Sequence, residues 1–255
     1  MFEDLSGQVA VVTGGARGLG LSMARALARQ GVNVGLLDQL DSVGDSAASL
    51  AGELGVAGTG VTADVTSAEA VASAFVRIGE ELGSPSLLVN AAGITVWEDS
   101  LDATADSWRR VIDINLTGTF LCCQALARGC RDGGHPGAIV NVSSMSGRIV
   151  NVPQHQASYN ASKAAVDQLT KSLAVEWAEL GVRVNAVAPG YFLSDMTRQF
   201  TEANPELAER WRSLIPVGRM GEPPDLDGLV VFLCSSASSY LVGQSIVIDG
   251  AYTAV

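Results

Sequence analysis

The N-terminal segment restricts the fold more than any other part of this sequence. An apolar run at 9–12 leads through Thr13 into the turn GGARGLG, and a helical pattern follows from Leu19 to about Gln30. A strand, a glycine-rich turn and a helix in this order form a unit whose backbone N–H groups can bind a pyrophosphate. Such turns also begin helices that bind nothing, and the spacing here differs from the GxGxxG form, so the turn needs support from the rest of the chain. The glycines concerned are Gly14, Gly18 and Gly20.

The alternation of apolar runs and helical patterns continues along the whole chain. Later apolar runs lie at 33–37, 56–63, 87–89, 138–142, 182–187 and 245–248. Strands in this rhythm form a parallel sheet that is covered by helices on both faces. No Pro/Ser-rich linker or internal repeat divides the 255 residues. We therefore predict one α/β domain over 1–255, with a doubly wound parallel sheet of about seven strands.

Polar residues follow several of these predicted strands. Asp38, Asp64, Asn90 and Ser144 each stand at the end of an apolar run. The carboxyl ends of parallel strands border one crevice, so these side chains should converge there. Asp64 could accept from an adenine amino group, and it could equally cap the helix that opens near Ser67.

Asp38 bears on the choice between two nicotinamide cofactors. A carboxylate at the end of the second strand is placed to accept from the adenosine ribose hydroxyls of NAD, and it would repel the 2′-phosphate of NADP. Arg17, inside the glycine-rich turn, favours the opposite choice because a guanidinium pairs with phosphate. We expect NAD, with NADP less favoured, because Asp38 would meet the 2′ position directly.

Tyr159 and Lys163 form the candidate acid/base pair. They lie four residues apart in a predicted helix, which places both side chains on one face. An ammonium beside a phenol favours the phenolate and lowers its pKa. Ser144, at the end of the preceding strand, would place a hydroxyl beside that phenol. Tyrosine and lysine at this spacing also occur on exposed helix faces without any function, so the pair matters only if its face borders a cleft.

Composition excludes several functions. The net charge of −11 argues against nucleic-acid and anionic-membrane partners, and the acidic N-terminus MFEDLSGQ does not resemble a signal peptide. No apolar stretch approaches the ~18–20 residues that span a bilayer. The four cysteines show no metal-ligand spacing and the two histidines are too few for a His-based metal site. We expect a cytoplasmic protein with buried free thiols and no metal site.

The motifs, taken together, resemble the short-chain dehydrogenase/reductase family from end to end. They comprise TGGARGLG at 13–20, Asp64, NAAG at 90–93, Asn115 in NLTGTF, NVSSMSG at 141–147, YNASK at 159–163 and PG at 189–190. The resemblance implies a Rossmann fold and an alcohol–ketone oxidoreductase. It also implies a catalytic tetrad, in which Tyr159 transfers the proton and Ser144 binds the substrate oxygen. Lys163 would bind the nicotinamide ribose and lower the pKa of Tyr159. Asn115 would hold a helix distortion together with a water molecule that relays protons. From the residues alone, Asn115 could also be a solvent-facing residue of a long helix at 105–129.

The resemblance extends to binding residues. For the cofactor it implies Gly14, Arg17, Gly18, Leu19, Gly20, Asp38, Asp64, Val65, Asn90, Ala91, Gly93, Tyr159, Lys163, Pro189, Gly190, Phe192 and Ser194. For the substrate it implies Ser144, Ser146, Asn151, Tyr159 and Tyr191. Related enzymes are mostly tetramers, so a homotetramer is expected, with Phe120, Leu121 and Leu126 in an interface or in the core.

The segment from Gly147 to Tyr159 is longer than in the 3-oxoacyl carrier-protein reductases and is similar to that of polyol and ketose oxidoreductases in the family. Its polar residues suit a substrate with several hydroxyls, and two of the four are expected to bond only to backbone. They are Ser146, Asn151, Gln154 and His155, the last expected as a wall residue. Residues 191–215 are predicted to form a substrate lid. The substrate is thus expected to be a small polyol or its ketose. The alternatives are a 3-oxoacyl thioester reductase, a hydroxysteroid dehydrogenase whose pocket includes Trp97, Phe192 and Trp211, and a non-catalytic dinucleotide-binding regulator.

Overall fold

The computed structural model describes residues 2–194, 197 and 201–255. Its centre is a seven-stranded parallel sheet with the strand order β3-β2-β1-β4-β5-β6-β7. The strands are β1 Val9–Thr13, β2 Asn33–Asp38, β3 Gly58–Thr62, β4 Leu87–Asn90, β5 Gly137–Val142, β6 Val182–Pro189 and β7 Ser245–Ile248. The α/β fold class and the parallel sheet that the sequence predicted are confirmed.

Helices cover both faces of this sheet. In the described residues they are α1 Gly18–Ala28, α2 Val43–Leu54, α3 Ala68–Leu82, α4 Ala105–Ile112, α5 Gly118–Gly133, α6 Ala157–Glu176, α7 Pro205–Leu214 and α8 Asp227–Cys234. Short 3₁₀ turns lie at 3–5, 145–147, 178–180, 223–226 and 236–238. One core packs α1, α2 and α8 against the sheet, and a second packs α3, α5 and α6 against the opposite face. The central strands are buried throughout because both of their faces are covered.

The strand order reverses between β1 and β4. β1 pairs with β2 on one side and with β4 on the other, so the connections after these strands leave toward opposite faces. A crevice opens at the carboxyl ends of the strands at such a point, and ligands of open α/β sheets bind there.

The long helix predicted at 105–129 is interrupted. α4 ends at Ile112, a π-helical segment occupies Asp113–Thr117, and α5 continues to Gly133. The Gly118 N–H donates to the Asp113 carbonyl, five residues back, as a π turn requires. The distortion that the family resemblance implied at Asn115 is therefore present.

All four cysteines are buried free thiols, as expected, and Cys122, Cys123 and Cys130 lie on α5. Burial raises their pKa values, to about 11 or above. Within the described residues, no helix is both long and apolar enough to cross a membrane, and no group of three His, Cys, Asp or Glu could hold a metal ion.

Candidate active site and cofactor crevice

The glycine-rich turn and the ends of β1, β2 and β4 enclose a cavity of about 270 Å³. Gly14 has a φ of +63°, and a Cβ there would lie 2.9 Å from the backbone of Ala92. Gly18 has a φ of +62°, yet a Cβ there would meet nothing within 4 Å. The first turn of α1 contains no acidic residue, and no side chain caps it. This first turn borders the cavity, so the positive end of the helix dipole lies beside it, which fits a pyrophosphate.

Asp38 ends β2 at the rim of this cavity. One carboxylate oxygen accepts from the Ala16 N–H at 3.0 Å and the other from the Leu40 N–H at 3.1 Å. A carboxylate has about four lone-pair positions, so acceptor capacity remains for a ligand. Arg17 is exposed and also borders the cavity.

Most of the predicted cofactor residues border the same cavity: Gly14, Arg17, Gly18, Leu19, Gly20, Asp38, Asp64, Val65, Ala91, Gly93 and Ser194. The Asp64 side chain does not cap α3, so the capping interpretation of this residue is wrong. Its Oδ1 accepts from the backbone and hydroxyl of Thr66 at 2.9 and 2.8 Å, and Ser67 caps the helix. Gln39, Leu40 and Ile114, which also border the cavity, were missed because they belong to no motif.

Asn90 is placed differently from the expectation. Its side chain is 2% exposed and donates to Asn141 at 2.9 Å and to the Cys123 sulfur at 3.2 Å, so it joins β4 to β5 beneath the crevice. Thr13 binds the backbone that follows β4 instead, since its hydroxyl accepts from the N–H groups of Ala91 and Ala92, each at 3.1 Å. The sequence analysis did not assign a role to Thr13.

Pro189, Gly190 and Phe192 also lie away from the first cavity. Pro189 ends β6, and Gly190 and Phe192 border a second cavity beside it, described below. Phe192 is 6% exposed and would collide with any Cβ at Gly221. Its ring therefore fills the space between β6 and the 3₁₀ turn at 223–226.

Asn115 lies at the centre of the π segment and is fully buried, which rules out the solvent-facing interpretation. Its Oδ1 accepts from the Ile94 N–H at 2.8 Å, and its Nδ2 donates to the Ile94 carbonyl at 2.9 Å and to Ser162 at 3.0 Å. The Thr119 hydroxyl donates to the Asn115 carbonyl at 2.8 Å. Asn115 thus fixes the loop after β4 against α6.

Tyr159 and Lys163 lie on α6, and their shared face borders the crevice rather than solvent. Lys163 is 5% exposed, its Nζ donates to the Val142 carbonyl at 2.7 Å, and Nζ stands 5.7 Å from the centroid of the Tyr159 ring. A Cβ at Gly93 would lie 3.5 Å from that Nζ. The pair therefore adjoins the turn that follows β4.

The electrostatics of this pair differ from the expectation. Burial raises the pKa of Tyr159, and a hydrogen bond with Ser144 opposes that rise. Burial also lowers the pKa of Lys163 to about 8, against the opposing charge of Asp167. The expected lowering of the phenol pKa by Lys163 is thus not present in this structure, because Nζ bonds to Val142 and both groups are desolvated.

A second cavity of about 420 Å³ opens beside Tyr159 and Ser144. One wall is polar and consists of the buried residues Ser144, Ser146, Asn151, Gln154 and Gln156 together with the half-buried Tyr159. The other wall is aromatic. Tyr191 stacks on Trp211 with centroids 4.5 Å apart, and Trp97 meets Trp211 edge-on at 6.1 Å. The cavity therefore presents hydrogen-bonding groups to one side of a ligand and ring faces to the other.

In the loop before α6, side chains that are adjacent in sequence face opposite directions. Gln154 and Gln156 face inward at 7% and 6% exposure, whereas His155 faces outward and its Nδ1 lies 3.4 Å from Asp99. The expectation of His155 as a wall residue is wrong, and Gln156, which it missed, is part of the wall. All three residues are polar, so the sequence carried no signal for which of them face the cavity.

The predicted lid spans 191–215, of which residues 195, 196 and 198–200 lie outside the described part of the chain. In the described part, α7 packs Trp211 and Ile215 against Met220, Tyr191 and Tyr252. Ser194 bonds to Thr197 at 3.0 Å.

Comparison with known proteins gives consistent results. Residues 14–253 match the family model described as enoyl-(acyl carrier protein) reductase. The chain is 45% identical over 250 residues to galactitol 2-dehydrogenase (L-tagatose-forming) of Cereibacter sphaeroides, covering 98% of this chain and 96% of that one. It is 39% identical to 3beta-hydroxysteroid dehydrogenase 1 of Eggerthella lenta, with coverage of 99% and 96%. A short-chain type dehydrogenase/reductase from Mycobacterium marinum superposes with a TM-score of 0.91 at 40% identity, covering 100% of this chain and 98% of that one.

Proposed function

Because the chain belongs to the short-chain dehydrogenase/reductase family, we propose that it is an NAD-dependent oxidoreductase that interconverts the secondary alcohol of a polyol and the corresponding ketone. The observation that carries this proposal is the second cavity, where Tyr159 and Ser144 meet a wall of buried amides and hydroxyls. The name of the galactitol-oxidising relative supports the same substrate class.

The residues of this chain support a division of labour. The nicotinamide cofactor, when bound, accepts the hydride from the alcohol or supplies it to the ketone. Tyr159 accepts the hydroxyl proton during oxidation and returns it during reduction. The Ser144 hydroxyl donates to the substrate oxygen as its charge changes. Ser146, Asn151 and Tyr191 would bind further substrate hydroxyls.

Lys163 and Asn115 would act from beneath the reacting groups. Lys163 would bind the nicotinamide ribose through its ammonium group. Asn115 holds the loop that carries Ile94 and Gly93 in place. Residues 191–215 would close the substrate cavity, with α7 supplying Trp211.

NAD is proposed over NADP because Asp38 stands at the end of β2 with both carboxylate oxygens fixed by backbone N–H groups. A carboxylate held in this way cannot turn away from a 2′-phosphate, and the two anions would repel each other. Arg17 is exposed and is free to interact with solvent instead.

The assembly is proposed to be a homotetramer in the cytoplasm. Leu126 belongs to the core, whereas Phe120 and Leu121 on α5 are only partly buried, and Val175 on α6 is 80% exposed. Burying these apolar side chains against another copy would stabilise an assembly. The buried free thiols suit a reducing compartment.

A hydroxysteroid dehydrogenase is the second candidate. The aromatic wall of Trp97, Tyr191 and Trp211 and the relative from Eggerthella lenta favour it. The buried amides of the polar wall argue against it, because an apolar steroid would leave their remaining hydrogen-bonding capacity unsatisfied, which costs free energy.

Absorbance at 340 nm tests the proposal directly. Purified protein receives NAD or NADP with galactitol, D-arabinitol, propane-1,2-diol, a 3β-hydroxysteroid and a 3-hydroxyacyl thioester. We expect turnover of a polyol with NAD. Turnover with NADP alone would overturn the cofactor assignment, and turnover of the steroid or thioester alone would overturn the substrate class. Cofactor binding without turnover of any substrate would favour a regulator.

A further inference from the structure

The polar wall of the substrate cavity is a continuous chain of hydrogen bonds that leads away from the reacting centre. It begins at Ser144, whose Oγ accepts from the Ser146 N–H at 3.1 Å. The Ser146 hydroxyl donates to Asn151 Oδ1 at 2.6 Å, and Asn151 Nδ2 donates to the Tyr191 hydroxyl at 3.1 Å. Gln154 follows Tyr191 and is the last member of the chain. It is therefore the member furthest along the wall from the alcohol that is oxidised.

The amide of Asn151 has one fixed orientation. Its Oδ1 accepts from the Ser146 hydroxyl and, at 3.3 Å, from Gln156 Nε2. Gln156 is held in turn by Asn160, whose Oδ1 accepts from its Nε2 at 2.9 Å. Turning the Asn151 amide over would place its N–H groups against the N–H groups of Gln156. Tyr191 would then lose the donor that Asn151 supplies. Asn151 therefore always presents Nδ2 to Tyr191.

The amide of Gln154 has no such constraint. Its Nε2 and its Oε1 lie 3.1 and 3.2 Å from the same Tyr191 hydroxyl. Either Nε2 donates to the phenol, or the phenol donates to Oε1. In the described part of the chain, the Gln154 side chain forms hydrogen bonds with Tyr191 alone.

Both arrangements leave hydrogen-bonding capacity for a ligand. When Nε2 donates, the phenol accepts from both amides, and the second Nε2 hydrogen is left over together with a free Oε1. When the phenol donates to Oε1, the Nε2 hydrogens are left over, and Oε1 keeps one lone pair. The pair can thus offer one donor and one acceptor in either arrangement, which matches a hydroxyl group.

The ring of Tyr191 is held in place while the amide turns. It stacks on Trp211 with planes 13° apart, and Tyr252 meets it edge-on at 5.4 Å. Burial raises the pKa of Tyr191 to about 12, so the phenol keeps its proton at the pH values where the enzyme would be assayed.

We propose that Gln154 and Tyr191 together recognise a substrate hydroxyl remote from the carbon that is oxidised, and that Gln154 is the adaptable member of the pair. This inference rests on the proposed function, because it assigns the far end of the same substrate. A hydroxyl can donate and accept at once, whereas a C–H group at that position would leave the remaining donor and acceptor of this buried pair unsatisfied. The pair therefore selects polyols long enough to reach it.

The test compares substrates that differ in length. Gln154→Met preserves side-chain volume without hydrogen-bonding groups, and Tyr191→Phe removes only the hydroxyl. We expect each to lower kcat/KM for galactitol about tenfold, the effect of one lost neutral hydrogen bond, and to leave kcat/KM for propane-1,2-diol within about twofold. The double variant should lose little more than either single one, because the pair acts as a unit.

Tyr240→Phe is the matched control, since Tyr240 is fully exposed and outside both cavities; it should change neither value. An equal loss with both substrates would assign the pair to structure alone and overturn the inference, as would unchanged activity with galactitol. Wild-type protein that turns over no polyol would overturn the proposed function and the inference with it. Wild-type turnover of galactitol with unaffected variants would overturn the inference alone.

Discussion

The cofactor crevice and the substrate cavity lie side by side along the same sheet edge but are built from different parts of the chain. The cofactor crevice is made largely of backbone, with glycines at 14, 18 and 20 and N–H groups at the start of α1. The substrate cavity is made largely of side chains from the segments after β4, β5 and β6 and from α6 and α7. A backbone site depends on where the chain turns, whereas a side-chain site depends on which way each residue points.

Removing the Tyr159 hydroxyl gives the largest expected effect and separates the two cavities. Tyr159→Phe should lower kcat by about 10²–10⁴, because the variant has no group to transfer the proton. The dissociation constant of NADH, measured by its fluorescence, should stay within severalfold. An equal loss of NADH affinity would show that the cavities do not work separately. Full turnover would refute the proposed mechanism.

A methyl group added to the glycine-rich turn should act on the cofactor crevice, whereas the Tyr159 substitution acts on the substrate cavity. Gly14→Ala places a Cβ 2.9 Å from the Ala92 backbone at a residue with φ +63°. We expect at least tenfold weaker NADH binding and about 1–3 kcal/mol less unfolding free energy, because both the turn and the loop after β4 must move.

Gly44→Ala is the matched control, because a Cβ there meets nothing within 4 Å and the residue lies in α2. It should stabilise the protein by roughly 0.5–1 kcal/mol and leave NADH binding unchanged. If Gly14→Ala behaved like the control, the crevice would not depend on backbone geometry in the way described here.

The smallest expected effect concerns Lys163, which lies between the two cavities. Burial lowers its pKa in the folded protein to about 8, from an ordinary value of 10.5. Between these values the native state loses a proton that the unfolded state keeps, so stability rises with pH through this window. Relative to Lys163→Met, the unfolding free energy of wild type should gain about 2 kcal/mol between pH 7 and pH 10. Urea unfolding at both pH values measures the change, and a flat difference would show that Lys163 is not desolvated.

The same contrast explains which features the sequence predicted. The apolar runs and the glycine spacing depend on the backbone, and the parallel seven-stranded sheet, the position of Asp38 and the face shared by Tyr159 and Lys163 agree with them. Side-chain direction was not predictable in irregular segments. Asn90 ends a strand as Asp38 does, yet it points into the sheet toward Asn141. Gln154 and Gln156 face the cavity while His155 between them does not, and no periodicity in that loop indicates which of the three does.

Electrostatics was the least predictable part. The spacing of Tyr159 and Lys163 gave their shared face, but the pKa of the phenol depends on how far both groups are removed from water and on where the ammonium bonds. The Val142 carbonyl that binds Lys163 is a backbone atom of another strand. Nothing in the sequence around Lys163 identifies it.

The π segment around Asn115 has a consequence for the rotational phase of the helix that contains it. Successive residues of an α-helix advance by about 100° around the axis, and a wider turn advances less, so the faces of α4 and α5 are offset from each other. The offset lets Cys122, Leu126 and Cys130 of α5 face the core while Asn115 faces the loop after β4. Deleting one residue from 113–117 would rotate all of α5 relative to the sheet and not only displace Asn115. The break in phase is thus visible in the amphipathic pattern of the helix. Helices in other chains whose apolar face shifts around the axis beside a buried asparagine would be candidates for this kind of site, and finding them requires no catalytic motif.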